Sequence, residues 1–294
     1  MRFLSKGQGN LFIKVLGLFS IVRGYNILIL IIAQYLTARY VFYPSSSFEQ
    51  IIFDLNLFYL VFATALSTSS GYIINNYFDA EKDKINRPQK FLIEHTISQR
   101  IQFRIYLLMN LICLVVSWLF SLKAVVFFLI YILGILLYSI LIKRLFWLSN
   151  IYKAFLTILP FFAITLYFKN FEQIIFLYAG FLFLLILIKD IIKDFENFKG
   201  DWVHSYKTLP IVFGNPITKL IISILILVIW GLIYLLIKND LGLIEYYFIF
   251  CVPYMCFILF LTWISSTKKI YLWIHNLLKL IIVVGVFGIY FMYK

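Results

Sequence analysis

Seven of the chain's 13 acidic residues fall in two short windows: Asp79, Glu81 and Asp83 in one, Asp190, Asp194, Glu196 and Asp201 in the other. The first window reads Asn75-x3-Asp79-x3-Asp83. On a helix, that i, i+4, i+8 spacing stacks an amide oxygen and two carboxylates along nearly one face. The second reads Asp190-x3-Asp194, another i, i+4 pair, followed by Gly200-Asp201. Carboxylates gathered without a cation repel and raise one another's pKa. Two such pairs therefore point to bound cations, and all-oxygen ligands point to Mg²⁺, which keeps waters and bridges to substrate phosphates. The candidate metal ligands are Asn75, Asp79, Asp83, Asp190 and Asp194. A plainer reading is two solvated loops of mixed charge, since Lys82, Lys84 and Lys193 alternate with the acids. Two copies, each beginning where an apolar run ends, in a chain otherwise poor in acid, weigh against it.

The elements that position these acids must be membrane spans. Hydrophobic residues make up 63% of the 294 residues, against roughly 45–50% in a soluble domain, and charged residues 13% against about 25%. Mean hydropathy is +0.96. This excludes a disordered chain, a disulfide-stapled secreted domain and an ordinary water-soluble enzyme. The net charge of +13 does not mark a nucleic-acid binder, because the basic residues sit in short gaps between long apolar runs. A bilayer core takes about 20 apolar residues per helix. Spans are expected near 21–42, 51–75, 101–120, 123–142, 151–168, 173–189, 217–237, 245–264 and 270–291. The expected fold is all-α, one polytopic membrane domain over residues 1–294.

The gaps 76–100, 143–153 and 190–216 carry most of the loop Lys and Arg, which puts them on the cytoplasmic side of a cell membrane together with the N-terminus. Glu49 and Asp240 then fall on the other side. The N-terminal stretch has no small-residue cleavage site before the first long apolar run and reads as an interfacial lead-in. Cys113, Cys251 and Cys256 have no paired spacing with His, so neither zinc nor a disulfide is expected. His95 and His204 lie in the two acidic windows' loops and invite an acid–base reading. His275, within the last span, reads as a hydrogen-bonded packing residue.

At the acidic windows the sequence resembles the UbiA superfamily of intramembrane prenyltransferases. Asn75-Asn76-Tyr77-Phe78-Asp79 through Asp83-Lys84-Ile85-Asn86-Arg87-Pro88 is similar to its first aspartate motif. Asp190-Ile191-Ile192-Lys193-Asp194, with Lys199-Gly200-Asp201 and Lys207-Thr208-Leu209-Pro210 through Gly214, is similar to the second. Arg23-Gly24-Tyr25-Asn26 resembles a first-helix RPxN, with Gly where Pro is common, and Tyr138-Ser139 with Lys143-Arg144 resembles a fourth-helix segment near the diphosphate. The stretch 89–98 departs, lacking a second RP, and Asn76 replaces a common Asp.

The resemblance implies nine helices around a central cavity capped by cytoplasmic loops, and Mg²⁺-dependent transfer of a polyprenyl group from its diphosphate. Arg87, Lys143, Arg23 and Asn26 are the implied diphosphate-binding residues. Tyr138, beside Asp79, Asp83, Asp190 and Asp194, is the implied catalytic residue, its ring facing an allylic cation. The acceptor resembles that of the branch acting on geranylgeranylglycerol phosphate. An aromatic acceptor such as 4-hydroxybenzoate is the runner-up. A transporter using intramembrane acids is the alternative of another class, but it calls for acids near the middle of the spans. Membrane lipid is the expected surrounding partner, and nucleic acid is not.

Overall fold

The computed structural model describes residues 6–146, 148–239 and 241–292, with side chains from residue 12 onward. Asp240 lies outside the described residues, as do the first five residues of the N-terminal lead-in. In chain order the helices are α1 (Lys6–Ile21), α2 (Gly24–Thr37, running on through a π turn at Ala38–Phe42), α3 (Phe48–Ile52), α4 (Leu55–Asn86), α5 (Pro88–Glu94), α6 (Gln99–Phe120), α7 (Leu122–Ile140), α8 (Leu148–Phe168), α9 (Gln173–Val203), α10 (Leu209–Ile237), α11 (Glu245–Ile264) and α12 (Lys268–Gly288). Among the described residues, nine helices are long and apolar enough to cross a membrane, and they are the nine expected.

Two boundaries differ from expectation in an informative way. The second span begins at Leu55 rather than 51, because Ser47 and Gln50 form a capping box that starts the separate short helix α3. The acidic windows are helix, not loop. α4 runs unbroken from the apolar span to Asn86, and α9 runs to Val203. Hydropathy stops registering a helix where its side chains turn polar, but the backbone hydrogen bonds continue. α4 ends where it must: Pro88 cannot extend it, and Arg87 before it is pushed out of helical geometry (φ −144°, ψ 60°), leaving Pro88 to start α5.

By contacts the chain divides into two compact units, described separately. The first takes the chain up to Ile31 and Leu55–Ile140, with α4 at its centre against α6 and α7. α4 is rich in small buried residues (Ala63, Thr64, Ser67, Ser70), which let neighbouring backbones approach closely. Cys113 of α6 donates to the Ala63 carbonyl at 3.3 Å, and Ser70 donates to Asn110 at 2.6 Å. At Gly71 a Cβ would stand 3.0 Å from the Ile135 side chain of α7. α1 packs on α5 through Gly17, where a Cβ would meet the Ile93 carbonyl oxygen at 2.8 Å.

The second unit takes Ile32–Asp54 and Leu141–Lys294, with α9 packed against α8, α10 and α12. Its core is aliphatic: Leu185, Ile188, Ile191 and Ile192 of α9 meet Ile222, Ile226 and Ile229 of α10 in one buried cluster. α10 is bent at Gly214, whose φ of 76° and ψ of 171° need a residue without a Cβ.

Candidate active site

In the first unit, α4 presents the first acidic window. Asp79 is buried (7% exposed), while Asn75 and Asp83 are half-buried one turn to either side. Lys82 Nζ stands 3.5 Å from Asp79 Oδ1. Asn76 points elsewhere. Its Nδ2 donates to Gln102 Oε1 of α6 at 3.3 Å, so packing takes up its amide and the neighbouring Asn75 is left as the ligand candidate.

The same unit brings Arg23 to this stripe. Tyr72 lies three residues before Asn75 and seven before Asp79, on the same face of α4. The Arg23 guanidinium sits 4.7 Å from the centre of the Tyr72 ring. Arg23 occupies the left-handed region (φ 50°) in the turn between α1 and α2, a conformation a non-glycine residue holds only under constraint. The Gly24 that follows has the Phe19 ring where a Cβ would go, so a larger residue there would have to displace that ring. Asn26, half-buried in the first turn of α2, donates its backbone N–H to the Arg23 carbonyl at 2.7 Å. Arg87 is half-buried at the start of α5, one turn beyond Asp83, whose carbonyl accepts its N–H at 2.8 Å. Tyr138 is half-buried near the end of α7.

In the second unit, Asp190 is buried on α9 (4% exposed) and Asp194 stands one turn on. Two residues of α8 hold them. Lys153 Nζ lies 2.9 Å from Asp190 Oδ1, and Asn150 Nδ2 donates to Asp194 Oδ2 at 2.7 Å. Ser149 donates to Asn150 Oδ1 at 3.0 Å and fixes which end of the amide faces the acid. Asn150 and Lys153 were missed as site residues. Their one signal was the i, i+3 spacing at the start of a span, in the basic segment 143–153. Asp201, also buried, closes the α9 window. Lys143 is buried in the single turn Ile142–Arg144.

The donor set suits a hard cation. Asp190 Oδ2 is buried and accepts no hydrogen bond, which leaves one charged oxygen free to ligate. Among the described residues no three His, Cys, Asp or Glu side chains form a metal-ligand cluster. Mg²⁺ does not require one, since it is commonly bound by one or two carboxylates, its own waters and substrate phosphates. The histidines are not part of these groups. His95 stacks on Phe91 at 3.9 Å between ring centres, with its Nδ1 3.0 Å from the Phe91 carbonyl, and His204 follows the last turn of α9. His275 is buried, and its Nδ1 has no hydrogen bond.

A model of the UbiA prenyltransferase family matches residues 27–278, which take in both acidic windows. The chain belongs to the UbiA prenyltransferase family. Membership sets aside the transporter alternative and makes this a multi-pass membrane protein. A digeranylgeranylglyceryl phosphate synthase of Methanosphaera stadtmanae is 28% identical over 197 residues, which cover 66% of this chain and 68% of that protein. One of Thermococcus gammatolerans is 34% identical over 159 residues, 53% of this chain and 56% of that protein. The chain thus spans little more than half the length of the Thermococcus relative it matches. Among UbiA-fold structures, one described for digeranylgeranylglyceryl phosphate synthase in membranes superposes with a TM-score of 0.70 at 20% identity, covering 94% of this chain and 97% of that one. A UbiA homolog from Archaeoglobus fulgidus bound to DMAPP and Mg²⁺ gives 0.67 at 15% identity, covering 93% and 98%.

Proposed function

We propose that this UbiA-family chain transfers a geranylgeranyl group from its diphosphate to geranylgeranylglyceryl phosphate, using Mg²⁺. The observation that carries the reading is the pair of carboxylate-bearing helices, α4 and α9, that continue unbroken out of apolar spans and keep Asp79 and Asp190 buried. Burying carboxylates is costly even beside the lysines that pair with them, and a cation with a phosphorylated substrate offsets that cost. The relatives named as digeranylgeranylglyceryl phosphate synthases support the acceptor class.

Asn75, Asp79 and Asp83 on α4, and Asp190 and Asp194 on α9, would hold Mg²⁺, whose charge, when bound, makes the diphosphate a better leaving group. Arg87, Lys143 and Arg23 supply fixed positive charge where negative charge develops on the diphosphate, and Asn26 offers it an amide donor. In the reaction the allylic C–O bond to the diphosphate breaks and a C–O bond to the acceptor hydroxyl forms, with loss of the hydroxyl proton. Tyr138 offers an aromatic face to the cationic carbon. The apolar helices take the prenyl tail and keep water from the cation. The basic segments put these residues on the cytoplasmic side of the cell membrane.

The test is incubation of membranes bearing the chain with labelled geranylgeranyl diphosphate and a panel of acceptors, identifying the product lipid. A labelled dialkyl glycerol phosphate is expected. Label appearing only in a prenylated aromatic acid would overturn the choice of acceptor.

A further inference from the structure

Lys219 is buried in α10 (9% exposed), inside a membrane-spanning segment of the second unit. An ammonium group there is costly and calls for a purpose. Its purpose lies at the end of α11. That helix stops at Ile264 and Ser265 turns extended (φ −70°, ψ 134°), so the last carbonyls have no partner within the helix. Lys219 Nζ donates to two carbonyls at this end, Trp263 at 3.1 Å and Ser265 at 2.8 Å. A cation suits the negative end of a helix. The Trp263 indole N–H reaches back to α10, donating to Ser223 Oγ at 3.1 Å, and Ser223 donates to the Lys219 carbonyl at 2.9 Å. The turn from α11 to α12 is thereby fastened to α10.

The Ser265 carbonyl has a second donor. The Tyr271 hydroxyl, in the first turn of α12, donates to it at 3.2 Å. The Tyr271 ring in turn lies flat on Phe195 of α9, with ring centres 4.5 Å apart and planes within 7°, and both side chains are buried. Phe195 directly follows Asp194. The turn of α9 that carries the acids is thus gripped twice, by Asn150 and Lys153 of α8 and by Tyr271 of α12.

We propose that Tyr271 is a positioning residue for the α9 acids, and that Lys219 holds it there through the Ser265 carbonyl. The inference rests on the proposed function, since it concerns how Asp190 and Asp194 are held for Mg²⁺. Side chains that form such a site must stay within about 0.5 Å and 10–20° of their working geometry. Neighbouring residues of a helix point about 100° apart, so a roll of α9 that slid Phe195 off the Tyr271 ring would swing both carboxylates. Asn150 grips one side chain; the Tyr271 ring fixes the helix itself. Packing alone does not call for this chemistry. An aliphatic residue at 219 and Phe at 271 would fill the same space without burying an ammonium group and a hydroxyl. Two donors converging on one carbonyl add a fixed direction that an apolar contact lacks.

The experiment uses the full chain in nanodiscs with geranylgeranyl diphosphate and no acceptor, and reads the binding of Mn²⁺, in place of Mg²⁺, by electron paramagnetic resonance. Turnover is then titrated with Mg²⁺. Tyr271→Ala should weaken Mn²⁺ binding about tenfold or more, as is typical when a group that orients a metal ligand is lost, with kcat at saturating Mg²⁺ much less changed. Tyr271→Phe keeps the stack and Lys219→Met keeps the bulk, so each should weaken binding only about threefold, the loss of hydrogen bonding to the Ser265 carbonyl. Because both act through that carbonyl, the double variant should fall short of the product, about ninefold. Tyr254→Phe is the control. It removes a comparable bond, from α11 to the Leu277 carbonyl of α12 at 3.0 Å, and should bind Mn²⁺ as the wild type does. Wild-type Mn²⁺ binding in an inserted Tyr271→Ala makes Tyr271 core packing and overturns the proposal, as does a loss in Tyr254→Phe equal to that in Tyr271→Phe. Should Tyr271→Ala fail to insert, wild-type binding in both Tyr271→Phe and Lys219→Met overturns it instead. A double variant that reaches the full product overturns the part given to Lys219. A wild-type chain that binds no Mn²⁺ beside the diphosphate and turns over in EDTA defeats the functional reading itself, a result separable from the others.

Discussion

Asn150 of α8 donates to Asp194 of α9 across 2.7 Å, and Ser149 in turn donates to the Asn150 carbonyl oxygen. The amide therefore presents its N–H₂ to the acid and leaves the other Asp194 oxygen for a ligand. A partner that orients a metal-binding carboxylate typically affects affinity 10–100-fold when removed. Asn150→Ala should raise the Mg²⁺ concentration needed for half-maximal activity by at least about tenfold, with kcat at saturating Mg²⁺ much less affected. A titration of activity against Mg²⁺ reads this directly. An unchanged titration would make Asn150 a packing residue alone.

A second prediction concerns the stretch after Pro88. Glu94 is 1% exposed, accepts from Ser20 of α1 at 2.9 Å and pairs with Lys90 at 3.2 Å. Together with Gly17 it ties α5 to α1, and Arg87 stands at the first turn of α5. Glu94→Ala removes a buried acceptor for both partners, a loss of about 1–3 kcal/mol. It should loosen α5, raising its amide exchange, and raise KM for the prenyl diphosphate more than it lowers kcat. Glu94→Gln keeps an oxygen for Ser20 and should fall between Ala and wild type. Identical exchange in wild type and Ala would show that α5 does not depend on this contact.

What was legible in the sequence divides along physical lines. The paired acids were readable because i, i+4 spacing is a property of one helix, needing no knowledge of its neighbours. The spans were readable because a bilayer imposes length and apolarity. Asn150 and Lys153 were not, because their importance arises from α8 packing on α9, a contact between residues more than 35 positions apart. The helical extent of the acidic windows was lost for another reason: hydropathy reports where a helix leaves the apolar core, not where its hydrogen bonds end. Glu94 shows a third limit, since a charged residue in a polar loop gives no hint that a serine from α1 will bury it.

Orientation gives a third prediction. In the proposed orientation α5 lies on the cytoplasmic side and the α10–α11 connection opposite. Gln89 and Asn239 are both exposed, so each can report, whereas Glu94 is too buried to do so. Cys256 is exposed as well and must first be replaced. In intact cells a membrane-impermeant thiol reagent should label Asn239→Cys and spare Gln89→Cys until the membrane is opened. The inverse pattern would reverse the topology and move the acidic helices to the other face.

The last prediction bears on the acids proposed to hold the metal. Asp79, Asp83, Asp190 and Asp194 are proposed to hold ions whose role is electrostatic, and the loss of one stabilising group in such a site costs about 10²–10³ in rate. Alanine at any of the four should cost at least that. Asn should fare little better, because it keeps the shape and loses the charge that balances the cation. Asp190 is the most exacting case: Lys153 at 2.9 Å and Lys189 at 3.9 Å would lose their buried counter-charge, so Asp190→Ala should also lower thermal stability. Asn75→Ala should hurt less, since a neutral amide holds Mg²⁺ weakly. Glu49, exposed in α3, serves as the control and should tolerate Ala. EDTA should abolish turnover and added Mg²⁺ restore it. If the four aspartate variants, shown to be folded and inserted, match Glu49→Ala in rate, or if the wild type turns over in EDTA, the acids are solvated helix ends and the assignment of Mg²⁺ to them fails.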